Sequence, residues 1–99
     1  MMADSTFTFT TYVDGQEMAR AVTARLSELC DAHGVQPQIR VVDVGEQPQA
    51  AEEGNVIGVP TVVRESPRPR RRVIGALDDT RRVSNALGLD MYDGTGERR

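Results

Sequence analysis

Residues Val56–Gly75 read VIGVPTVVRESPRPRRRVIG. The Val59-Pro60-Thr61 step opens an apolar run over 59–64. A turn at Ser66-Pro67-Arg68-Pro69 follows, then a second run over 72–76. Two short β-branched runs around such a turn predict an antiparallel hairpin. Pro60 stands at the mouth of the first strand, where a missing N–H costs no ladder bond.

Working outward, Thr6 to Val13 puts Phe7, Phe9, Thr11 and Val13 on one face, and its β-branched residues favour a strand. Asp14-Gly15 ends it. From Gln16 to about His33, the residues Met18, Val22, Leu26, Leu29 and His33 make one helical stripe, with Arg20, Thr23 and Ser27 away from it. Gly34 is the stop and Pro37 confirms the break. Gln38 to Val44 alternates Ile39, Val41 and Val44 loosely, as a half-buried strand does. Strand, helix and strand of these lengths predict a parallel βαβ unit with a right-handed crossover. Gln47 to Asn55 is a weak, Ala-rich, acidic helix. Beyond the hairpin, Asp78 or Asp79 caps a helix over Thr80 to Leu87, with Val83, Ala86 and Leu87 inward and Gly88 at its end. From Asp93 the pattern lapses, and 93–99 is expected to be a mobile tail.

The resulting order, βαβαββα, is that of a thioredoxin-like α/β domain: a mixed four-stranded sheet with helices on both faces, here a single domain over 1–99. Pro60 would then be the cis-proline that such domains place at their ligand-facing edge.

The chain is 99 residues long, 38% apolar and 4% aromatic, with no Trp, so its one core is lean. No apolar run approaches the roughly 20 residues of a membrane helix. The opening MMADSTFTFTTYV lacks the basic start and small-residue cleavage site of a secretory signal. A lone cysteine suits a reducing cytoplasm, where we place the protein. Charge is split unevenly. Residues 1–63 carry nine acids against three arginines, and residues 64–99 carry six acids against nine arginines; there is no lysine.

Catalytic chemistry finds little support in these residues. A redox thiol would sit at the start of the first helix, where the unpaired N–H groups lower its pKa. That position reads Asp14-Gly15-Gln16-Glu17-Met18, and Cys30 lies four turns later near the buried stripe. Cys30 and His33 alone fall short of the three or four ligands of a zinc site. His33 has no sequence-level partner as a base, and the paired acids at 52–53 and 78–79 face different ways on a helix. We therefore expect no enzyme, no cofactor and no metal. The remaining constellation is Arg64, Arg68, Arg70, Arg71 and Arg72, five arginines within nine residues. A solvated turn, a nucleic-acid site and a docking site for an acidic protein surface all fit it. Overall acidity and scarce aromatics argue against nucleic acid.

Tyr12-Val13-Asp14-Gly15, Val41-Val42-Asp43-Val44, Gln47-Pro48, Ala51-Glu52-Glu53, Val59-Pro60-Thr61, Arg71-Arg72-Val73-Ile74-Gly75 and Leu87-Gly88-Leu89-Asp90 resemble the KaiB family in order and spacing, from about Thr8 to Tyr92. The resemblance implies a non-catalytic adaptor that docks on a KaiC-type hexameric ATPase and modulates its phosphorylation or signalling state, as in circadian timing. A KaiA-like protein or a sensor histidine kinase is a further implied partner. It also implies partner-facing positions at Arg20, Arg40, Asn55, Arg64, Arg71 and Arg72, with Asn55 standing where a basic residue is common. A second family fold, βαββααβ, forms tetramers or dimers. Residues suited to such switching are Pro60, Pro67, Pro69, Gly88 and Asp90: the X-Pro bonds can isomerise slowly, and Gly88-Leu89-Asp90-Met91-Tyr92 can end a helix or start a strand. Two rivals remain, a thioredoxin-fold redox or glutathione-binding protein without its catalytic cysteines, and a weak nucleic-acid binder using the Arg-rich hairpin.

Overall fold

A computed structural model describes residues 6–99, so the part of the 1–99 domain span on residues 1–5 lies outside the described residues. The hairpin is present as β3 (Thr61–Ser66) and β4 (Arg71–Ile74), antiparallel, with Val62 opposite Val73. β1 (Thr6–Val13) pairs antiparallel with β3 and parallel with β2 (Gln36–Asp43), giving the sheet order β2-β1-β3-β4. α1 (Gln16–Ala32) connects the parallel pair. α2 (Pro48–Glu53) and α3 (Thr80–Ala86) follow β2 and β4, and a short 3-10 helix spans Leu89–Met91. This is the thioredoxin-like order. Among the described residues no helix is long and apolar enough to cross a membrane.

Alternation sends Phe7, Phe9 and Val13 of β1 and Val62 of β3 to one face. There they meet Val22, Leu26, Leu29 and Cys30 of α1, Val83 of α3, and Leu87 and Leu89 beyond it. Tyr12, Val42 and Val63 occupy the other face under Ala50 of α2 and the flanking Val56 and Val59. Among the described residues the larger cluster holds fourteen buried residues and the smaller three, so α1 and α3 cover the main core and α2 only a corner.

Element bounds differ from the sequence pattern where backbone chemistry outweighs side chains. β2 begins at Gln36 and runs through Pro37, where the sequence predicts a break. As an edge strand, β2 tolerates a residue without an N–H. Its buried valine is Val42 and not Val41, which is 42% exposed, because Val42 lies opposite Tyr12. β3 starts at Thr61, after Pro60, and the Pro60 carbonyl accepts from Gly75 N–H at 2.8 Å, closing the hairpin mouth. The Val59–Pro60, Ser66–Pro67 and Arg68–Pro69 bonds are cis. Asp79 is the cap of α3, its carboxylate accepting from Arg82 N–H at 3.1 Å.

Gly88 ends this helix with φ +73°, a left-handed conformation that favours glycine. Asp90 bonds Asn85 at 3.1 Å. The segment expected as a mobile tail forms a closed return: Arg99 N–H donates to Met91 O at 2.8 Å and Gly96 N–H to His33 O at 3.2 Å. His33 Nδ1 lies 3.1 Å from Tyr92 O, tying the end of α1 to the same return.

Candidate protein-docking surface

The place where a redox site would stand is the junction of the α1 N-terminus, Pro60 and the segment after β4. It is an open groove of about 350 Å³ lined mainly by Met18, Val22, Pro60 and Leu77, with the guanidinium of Arg25 already bonded to Leu77 O at 2.9 Å and Thr80 Oγ1 at 2.6 Å. Cys30 lies roughly 20 Å along the helix axis from Gln16, at ~1.5 Å rise per residue. It is fully buried, and burial pushes its thiol up to about 12 from 9.0. The protonated thiol is thus favoured by the fold, and that stabilisation is present below the unfolded value and lost as pH rises from about 9 toward 12. At pH 8 a disulfide reagent is expected to modify native Cys30 roughly a thousandfold more slowly than the unfolded chain. Rapid labelling without unfolding would return a reactive thiol to consideration.

The arginines separate by strand alternation. Arg64 shares the face of Val62 and turns inward, only 4% exposed. Its guanidinium carbon sits 5.2 Å from the centroid of the Phe7 ring, Nη1 donates to Leu87 O at 2.9 Å and Nη2 to Pro69 O at 2.8 Å. In this fold it fastens the hairpin turn to the end of α3 and presents almost no surface to a partner. Arg71 lies opposite Arg64 across the ladder and is half-buried. Arg72, on the other face, is exposed and donates to Asn55 O at 3.2 Å and Gly54 O at 3.0 Å. Arg68 and Arg70 project from the turn, Arg70 pairing with Glu65 at 2.9 Å.

Asn55 and Arg72 are therefore neighbours, although seventeen residues apart. Asn55 has φ +54°, which asparagine adopts more readily than a long basic side chain. That accounts for an asparagine at this position. Arg20 is exposed on α1 and Arg40 on β2, where Arg40 lies opposite Thr10 and faces the side of the sheet away from α1. Arg20 and Arg40 thus belong to opposite layers, while Asn55 and Arg72 form a compact pair.

The sequence reading did not single out Ile57, which is 85% exposed between Asn55 and Gly58. Ile74 of β4, 39% exposed, approaches the same loop: its Cγ2 would be 3.6 Å from a Cβ at Gly58. The surface is an apolar tip flanked by an arginine whose position is fixed by two carbonyls. The available signal was a large aliphatic residue inside a glycine-bounded loop, Gly54-Asn55-Val56-Ile57-Gly58.

The KaiB domain model matches residues 10–89, most of the chain. The chain belongs to the KaiB family. Circadian clock protein KaiB3 of Synechocystis is 34% identical over 82 residues, covering 81% of this chain and 78% of that protein. A circadian clock oscillator protein KaiB of Prochlorococcus marinus is 36% identical over 94 residues, covering 92% and 78%. Against the KaiB of Synechococcus sp. (strain RCC307), identity is 45% over 53 residues, spanning 54% of this chain and about half (46%) of that relative. In solved structures, the N-terminal domain of Synechococcus elongatus SasA matches with a TM-score of 0.67 at 21% identity, over 88% of this chain and 84% of that one. Mitochondrial thioredoxin 3 of Saccharomyces cerevisiae gives 0.61 at 19%, over 83% and 76%. These two likenesses speak to the thioredoxin-like fold.

Proposed function

We propose that this KaiB-family chain is a cytoplasmic, non-catalytic adaptor that docks on a KaiC-type hexameric ATPase in its thioredoxin-like form and modulates the ATPase's phosphorylation or signalling state. The observation that carries the reading is the exposed Ile57 in the same loop whose Gly54 and Asn55 carbonyls hold the Arg72 guanidinium in place. Such a pairing suits a protein interface, where aliphatic burial supplies affinity and a fixed arginine selects acidic groups. Arg72 gives up little conformational entropy on docking because Gly54 and Asn55 already hold it. Arg20, Arg40, Asn55 and Arg71 are further contact positions, and a KaiA-like protein or a sensor histidine kinase a further partner. The βαββααβ arrangement, as a tetramer or dimer, is the resting alternative.

The burial of Cys30 and its distance from the start of α1 weigh against the redox reading, and the inward turn of Arg64 thins the basic stripe that nucleic acid would need. Titrating the isotope-labelled chain with a KaiC-type hexamer tests the proposal, saturable binding being the expected outcome.

A further inference from the structure

Between the hairpin turn and the C-terminal return lies a second, more enclosed feature of about 100 Å³. Arg64, Arg68, Arg71 and Arg98 line it together with Tyr92 and Gly88. At about 100 Å³ it falls well below the ~300 Å³ at which ligand pockets begin, the scale of one small ion and not of a nucleotide. No carboxylate is among its lining residues, and the ion pairs present among the described residues, Arg25–Glu28 and Arg70–Glu65, lie elsewhere.

Two donors are left over at its floor. Arg64 spends Nη1 and Nη2 on carbonyls, while its Nε is buried without a hydrogen-bond partner; the Nε of Arg71 is in the same condition. A buried N–H left unsatisfied is costly, and more so on a charged group. Burial first, and then the charge of Arg71, hold the Arg64 guanidinium below its ordinary range. Gly88 is what allows the two to converge: a Cβ there would stand 2.6 Å from Arg64 Nη1 and 3.1 Å from Arg71 Nε. Below this floor Phe7 packs edge-on against Tyr92, ring centroids 5.1 Å apart, so the guanidinium of Arg64 is backed by aromatic rings and not by acids.

We propose that this pocket binds a tetrahedral oxyanion of the phosphate class. Four arginines, from a strand pair, a turn and the C-terminal return, line this one feature. A tetrahedral dianion offers acceptors in as many directions as there are arginines, where a planar monoanionic carboxylate does not. Bound there, the anion would accept from the Nε groups of Arg64 and Arg71 and draw Arg68 and Arg98 over the mouth. It would fasten the hairpin to residues 88–98. The site does not rest on the docking reading, since its floor residue Arg64 is buried and the Ile57 tip plays no part in it.

The test uses the full chain and inorganic phosphate, with sodium chloride and sodium acetate at matched ionic strength as the comparison salts. The Nε–Hε signals of Arg64 and Arg71 are followed by NMR alongside thermal unfolding. Phosphate is expected to move both signals saturably and, at ten times its dissociation constant, to raise Tm by about 7 °C. Arg98→Gln, at an exposed position, is expected to weaken the response roughly tenfold, about the loss of one charge-assisted contact. An equal response to chloride or acetate, or a response unchanged in both Arg98→Gln and Arg71→Gln, overturns the proposal.

Discussion

Arg64→Ala is expected to destabilise the protein by about 3 kcal/mol, the loss of charge-assisted hydrogen bonds to two carbonyls plus a buried cation–π contact. Leu87 O and Pro69 O would lose their donor, and the space over Phe7 would be left as a cavity. Relief of the repulsion from Arg71 offsets part of this, since burial of an unpaired charge is itself unfavourable. For a chain of this size the corresponding fall in Tm is roughly 15 °C. Arg64→Lys keeps the charge but not the fork that reaches both carbonyls, and should recover little. Arg70→Ala is the matched comparison. It breaks an exposed pair with Glu65 and should cost less than ~0.5 kcal/mol. Chemical denaturation of the three variants checks the ranking; equal losses for Arg64→Ala and Arg70→Ala would mean that Arg64 does not fasten the fold.

The second large effect concerns binding. Ile57→Asp replaces an 85% exposed side chain, so the fold should be unaffected. If Ile57 is the apolar anchor of an interface, placing a carboxylate there removes its burial and desolvates a charge. A loss of about 2–3 kcal/mol is typical of such a central position, roughly 30- to 150-fold in Kd. Arg72→Ala should cost about tenfold, because a fixed guanidinium contributes one charge-assisted contact. Affinity for a KaiC-type hexamer, measured with both variants and with circular dichroism to confirm the fold, decides the matter. Wild-type affinity in Ile57→Asp would remove the tip from the interface.

Much of this architecture was legible because the sequence repeats its message at several levels. The stripe Met18, Val22, Leu26 and Leu29 and the breaks at Gly15 and Gly34 bound α1 within a residue or two. Strand, turn and strand over 59–76 declared the hairpin, and only its bounds moved, by about two residues, because Pro60 has no N–H to give to the ladder. β2 was harder to bound. At a sheet edge Pro37 is harmless, and nothing in one sequence says which strand is the edge.

The site was less legible for a different reason. Five arginines in nine residues look alike as a string, yet alternation from Val62 carries Arg64 to the core face and Arg72 to the opposite one. Spacing alone does not separate those two, which lie an even number of residues apart, because the pairing of Val62 with Val73 is what sets their faces. Nor could it have shown that the carbonyls of Leu87 and Pro69 wait for Arg64, since those contacts depend on where α3 ends. Ile57 escaped notice because exposure is a property of the packed chain. A valine-rich loop reads as core until α2 proves too short to cover it.

On the proposed reading, this chain docks through the loop before β3 and the adjacent face of β4 while keeping its thioredoxin-like hairpin. Backbone amide spectra of the labelled chain, free and saturated with a KaiC-type hexamer, test it most directly. Signals of Asn55–Gly58 and Arg72–Ile74 are expected to change most, with strand shifts retained at 61–66. Absence of binding, or changes that leave Asn55–Gly58 and Arg72–Ile74 untouched, would contradict it.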